Sequence, residues 1–103
     1  MRYKGDFGTV RVLGDSVYVY GDRDRLKAWA SRPGAVWPCS TLVDYSNVFA
    51  AFELATGDLV ELETRGIDYR GDCLAAEELS AWADDCLAAA GVSFGRSLVE
   101  VSA

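Results

Sequence analysis

The sequence has no histidine at all. That absence removes the side chain that most often serves as a general base, as the partner of a serine or cysteine nucleophile, and as a metal ligand. Cysteine is sparse: Cys39, Cys73 and Cys86 are odd in number and none stands in a CxxC pair, so neither a disulfide framework nor a zinc cluster is indicated. Each reads as a small buried hydrophobe in a reducing compartment. No apolar run approaches the ~18 residues that cross a bilayer, and the opening Met-Arg-Tyr-Lys-Gly-Asp carries no hydrophobic signal segment. The expected location is cytoplasmic, without membrane contact. Positive charge is scarce as well. Lys and Arg number 10 against 16 Asp and Glu, a formal charge of −6, which opposes direct contact with nucleic-acid phosphates and suits a partner with a basic surface. The chain also lacks a phosphate-binding glycine loop, a GxSxG elbow and calcium-loop spacing, so no cofactor and no metal are expected. Arg70-Gly71-Asp72 matches an adhesion tripeptide, which in a chain with no secretion signal is read as chance.

What is present describes one domain over residues 1–103, long enough to bury roughly 60 to 70% of its unfolded surface. Phe7 to Leu13 and Ser16 to Tyr20 flank Gly14-Asp15, which predicts a hairpin on a glycine-led two-residue turn. Pairing Leu13 with Ser16 sets Val12 against Val17 and Val10 against Val19 on one face. The other face then carries Phe7, Thr9 and Arg11 beside Tyr18 and Tyr20. Gly21 is read as ending that strand, and Asp22 as capping a short helix from Arg23 to Ser31 whose Leu26, Trp29 and Ala30 share a side. Trp37-Pro38 obscures the stretch from Ala35 to Tyr45, where Cys39 to Val43 is read as a short edge strand.

Asn47 to Leu54 and Leu59 to Thr64 predict a second hairpin through Ala55-Thr56-Gly57-Asp58, with Gly57 left-handed in a bulged turn. A bulge sets Phe52 against Val60 and Ala50 against Leu62. The reverse side then holds Phe49, Ala51, Glu53, Leu59, Glu61 and Glu63. After the polar loop Arg65 to Asp72, apolar residues at helical spacing from Ala75 to Ala90 give a stripe of Ala75, Leu79, Trp82, Ala83, Cys86, Leu87 and Ala90. Glu77, Glu78, Ser80, Asp84 and Asp85 fall on its polar side, and Gly91 is placed to cap it. Leu98 to Val101 reads as a last strand. The fold class is α+β, with a mainly antiparallel β-sheet of about four to six strands, one long C-terminal amphipathic helix packed on one face and one short helix, in the order β-β-α-(β)-β-β-α-β.

Two sheet surfaces stand out as candidate partner-binding sites. Glu53, Glu61 and Glu63 gather on one face although strands disfavour Glu, which suits docking against a basic surface. Phe7, Arg11, Tyr18 and Tyr20 combine aromatic rings with a cation, the chemistry enriched at interaction hot spots. Asp84 and Asp85, near the end of the long helix, are secondary acidic candidates. Asp15, Asp22, Asp58 and Asp72 are explained by turns and helix entries. The function expected is a small acidic protein–protein interaction module, an inhibitor or adaptor of the immunity or phage anti-defence type. It would occlude a basic surface of a larger partner, such as a nuclease complex or another nucleic-acid-binding protein. Two alternatives stand beside it: a subunit of a homo-oligomer or larger assembly, and an enzyme using Glu53 and Glu61 as a carboxylate pair. No enzyme activity is expected, and the oligomeric state is not legible.

Overall fold

The computed structural model describes residues 1–35, 41–66 and 73–94, without the side chains of Thr41 and of residues 73–76. Over these the chain is α+β: a five-stranded antiparallel sheet and two α-helices. The strands are β1 (Arg2–Lys4), β2 (Thr9–Leu13), β3 (Ser16–Asp22), β4 (Tyr45–Glu53) and β5 (Leu59–Gly66), and they lie side by side in that order. Helix α1 (Arg23–Ala30) and a 3-10 helix (Thr41–Asp44) connect β3 to β4, and α2 (Cys73–Ala90) follows β5. No described helix is long and apolar enough to cross a membrane.

The first hairpin has the register that the valine alternation predicts, Leu13 with Ser16, Val12 with Val17 and Val10 with Val19, around Gly14 at a φ of 57°. Gly21 does not end β3. It pairs with Val48 inside the sheet, and a Cβ there would lie 2.5 Å from Cζ2 of Trp82, so the missing side chain makes room for the indole and does not mark a break. Asp22 accepts from the Arg25 backbone N–H at 2.9 Å as the cap of α1. The short strand expected from Cys39 to Val43 is corrected over its described part. Thr41–Asp44 is a 3-10 helix with Leu42 fully buried, because the open sheet edges lie at β1 and β5, and this segment fills the space between the helices instead.

Gly57 is left-handed in the turn of the second hairpin, at a φ of 80°, but the bulge lies within β5 and not at the turn, and the register differs by one pair from expectation. Ala50 faces Leu62 and Ala51 faces Glu61, whereas Phe52 faces Leu59 and not Val60, which makes Val60 the extra residue of β5. Leu59 thus leaves the Phe49, Ala51 and Glu53 side. Strand β1 has no counterpart in the sequence reading. The strand expected from Leu98 to Val101, the adhesion-like tripeptide, and Asp72 lie outside the described residues.

Both helices cover the same side of the sheet. Val10, Val17, Val19 and Val48 form the floor, and Leu26 and Trp29 of α1 with Leu79, Trp82, Ala83, Cys86 and Leu87 of α2 close over it. The two indole N–H groups are satisfied: Trp82 donates to the Phe7 carbonyl at 2.9 Å and Trp29 to the Asp85 carboxylate at 2.7 Å. Gly91, at a φ of 74°, caps α2, its N–H reaching the Ala88 carbonyl while that of Val92 reaches Leu87, the paired bonds of a Schellman turn. Glu78 corrects its assignment to the polar side. It is buried at 1% exposure and partnered, because α2 rests on the 3-10 helix as well as on the sheet and so buries more than one stripe. Val60 and Leu62, expected beneath α2, are exposed at 69% and 42%, since the helix crosses β2 and β3.

Candidate functional site

Among the described residues nothing covers the side of the sheet opposite the helices, and the pairing of β3 with β4 decides what it contains. Because the two hairpins are neighbours, their outward residues merge into one surface in two rows. One row reads Arg2, Arg11, Tyr18, Ala51, Glu61 across β1 to β5. The next reads Lys4, Thr9, Tyr20, Phe49, Glu63. Tyr18 and Tyr20 alternate with the buried Val17 and Val19, so the period of two that builds the core also lifts these rings outward.

The centre of the surface is aromatic. Phe49 lies 5.9 Å from Tyr18 and 5.1 Å from Tyr20 between ring centroids, and the two tyrosines are 6.5 Å apart. Tyr20 keeps 40% of its area in solvent. Arg2, Arg11 and Lys4 lie toward β1 and Glu61 and Glu63 toward β5, where Arg65 follows them on the same side. Two shallow grooves run over the rings. One, of about 300 Å³, touches Arg2, Arg11, Thr9 and Tyr20, and the other, of about 580 Å³, reaches from Tyr20 and Phe49 to Glu61, Glu63 and Arg65. Among the described residues no ion pair engages Arg2, Lys4, Arg11, Glu61 or Glu63.

Several candidate residues have other positions than expected. Phe7 is absent from the aromatic face. The chain turns between Gly5 and Gly8 before β2 begins at Thr9, which breaks the alternation and sends Phe7 to the helix side against the core. Glu53 follows Ala51 on the outer side of β4 and pairs with Ser16, next to the turn. It is not a register partner of Glu61, and both are exposed, so the arrangement offers no enclosed carboxylate pair. Asp84 is exposed on α2, whereas Asp85 is occupied within the chain. It accepts from Trp29, and Arg32 approaches it at 3.4 Å while lying 4.3 Å over the Trp29 ring, which fastens the end of α1 to α2.

Arg2, Lys4, Phe49 and Arg65 belong to the surface and were missed as site residues. Arg2 and Lys4 flank Tyr3 with period two, but three residues are too few to announce a strand. The buried thiol of Cys86 is pushed up to about 12 by desolvation, with the Asp85 charge adding to it, so it is no nucleophile. Among the described residues no cluster of Cys, Asp and Glu is disposed to hold a metal ion.

Over the described residues these features define a small antiparallel sheet with a core on one face and an aromatic and charged surface, with no element over it, on the other. No protein-family model matches the chain, and neither the curated proteins nor the solved structures give a match.

Proposed function

We propose that the protein is a protein–protein interaction module, an inhibitor or adaptor, and that the uncovered sheet face is its working surface. The observation that carries this reading is the cluster of Tyr20, exposed, with the half-buried Tyr18 and Phe49, between Arg2, Lys4 and Arg11 on one side and Glu61 and Glu63 on the other. Strand propensity alone accounts for tyrosine on an outer face, but aromatic residues clustered and flanked by charge are also typical anchors of interfaces. The face is not uniformly acidic, since Arg2, Lys4 and Arg11 share it with Glu61 and Glu63. The reading therefore sharpens to a partner surface whose basic residues meet β5 only and whose centre presents apolar or aromatic groups. A nucleic-acid duplex, with phosphates of one sign throughout, does not suit this pattern. Imitation of a duplex by this face is disfavoured for the same reason.

Affinity capture with the tagged protein and with three variants tests this. Tyr20→Ala, and Glu61→Gln with Glu63→Gln, are expected to lose the specific partner, the second variant also losing the salt dependence of capture. Asp84→Asn on the exposed side of α2 is expected to retain it. Capture unchanged by both outer-face variants would overturn the assignment.

A further inference from the structure

We infer that the uncovered sheet face also closes on the same face of a second copy, in a two-fold dimer that sets the β1 edge of each chain over the β5 edge of the other. The inference comes from the order of charge along the two rows. β3 is the middle strand, and each row runs from a cation on β1, through a tyrosine on β3, to a carboxylate on β5. A two-fold axis lying over Tyr18 and Tyr20, close to parallel with β3, reverses each row from left to right and keeps its height along the strand. Arg2 of one copy then stands over Glu61 of the other and Lys4 over Glu63, while the tyrosines meet their own counterparts. Each charged contact occurs twice, as an isologous interface requires. Tilting the axis by about 15° gives the aligned packing of about 30° usual for stacked sheets.

Within one copy the same charges are unfavourably placed. Arg2 is the direct register partner of Arg11, and Glu61 and Glu63 are neighbours on one side of β5. Pairing of two copies sets Arg2 and Lys4 of each chain against Glu61 and Glu63 of the other. Five strands about 4.8 Å apart and seven residues of about 3.3 Å give a face on the order of 500 Å² per copy, short of the roughly 800 Å² of a standard interface. The association is therefore reversible and leaves the face accessible at low concentration. The dimer stands without the interaction reading; only its effect of shielding the partner-binding face rests on that reading.

Sedimentation from micromolar to millimolar concentration, at low and high salt, reads the association directly. The wild-type chain is expected to dimerise at low salt and to dissociate as salt rises. Arg2→Glu with Lys4→Glu makes both rims acidic, and Glu61→Lys with Glu63→Lys makes both basic, so each double variant alone is expected to lose the dimer. Mixed in equal amounts they regain complementarity at both contacts and are expected to form a heterodimer, which also shows that both fold. Should either reversal unfold the chain, Glu61→Gln with Glu63→Gln replaces it, with loss of salt-sensitive association as the expected result. A wild-type chain that stays monomeric at low salt, a dimer indifferent to both rims, or folded variants that fail to associate when mixed would each overturn the inference. A monomer that still captures a partner through Glu61 and Glu63 removes this inference alone. A rim-dependent dimer with no partner sensitive to the face removes the interaction reading alone.

Discussion

Asp22 ends β3 and begins α1, and its two carboxylate oxygens have different partners. Oδ1 accepts from the Arg25 backbone N–H at 2.9 Å, and Oδ2 takes the Arg25 guanidinium, whose Nε also donates to the Gly5 carbonyl at 3.2 Å. The backbone bond to Arg25 is the largest influence holding the carboxyl below its ordinary value of 3.8, with the Arg25 side chain assisting against a modest desolvation. A depressed folded-state value means that the charged form stabilises the fold. This contribution is complete above 3.8 and is lost as pH falls through the lower folded value. Asp22→Ala is accordingly expected to cost about 1 kcal/mol in urea unfolding at neutral pH, the usual worth of a helix cap. The gap to wild type should narrow when the same titration is run below pH 3.8. An equal gap at both pH values would mean that the charge on Asp22 contributes nothing. This role was legible in the sequence, because a cap needs only its own neighbours. That of Asp85 was not, since Trp29 and Arg32 reach it from a different helix.

At the scale of elements, what was legible depended on how many residues repeat a pattern. Four valines alternating across a two-residue turn determined the β2 and β3 register pair by pair. The three residues of β1 could not declare themselves, and its absence hid two of the cations of the outer face. The pairing of β3 with β4 was equally hidden, because α1 and the segment after it separate these strands in the chain. Gly21 shows how composition misleads: a glycine between a strand and a cap resembles a break, while its real neighbour is the ring of Trp82 on α2. This contact makes a prediction at both ends. Trp82, fully buried, should cost about 3 to 5 kcal/mol as Trp82→Ala because its cavity is lined by rigid elements. Gly21→Ala should cost about 1 to 3 kcal/mol by overpacking the same ring, and the two losses should fall short of additive in the double variant, where the new methyl has room. Full additivity in denaturant unfolding would separate the two residues. Strand β5, exposed along its whole length, has its edge broken by the Val60 bulge and marked by Glu61, Glu63 and Arg65, devices that discourage indiscriminate edge pairing.

For the whole molecule, the sheet buries its core on one face and the proposed function places recognition on the other, so adjacent residues of β3 should divide accordingly. Val19 is fully buried beneath the helices, whereas Tyr20 points away with 40% of its area exposed. Val19→Ala removes two methyl groups from a closed core and is expected to cost about 2 to 3 kcal/mol, through lost transfer energy and a residual void. Because the strand stays paired on both sides, the outer rows keep their register and capture of a partner should persist at temperatures where this variant remains folded. Tyr20→Ala should do the reverse. Its ring makes contact chiefly with Phe49 and Tyr18, so removing it is expected to cost about 1 kcal/mol or less while abolishing capture and weakening self-association. Paired unfolding and binding measurements on these two variants distinguish a recognition surface from a solvated strand face. If Tyr20→Ala leaves binding and association intact, the aromatic strip is there for strand propensity alone. If Val19→Ala abolishes binding while folded, the two faces of the sheet are coupled and the recognition surface depends on core packing.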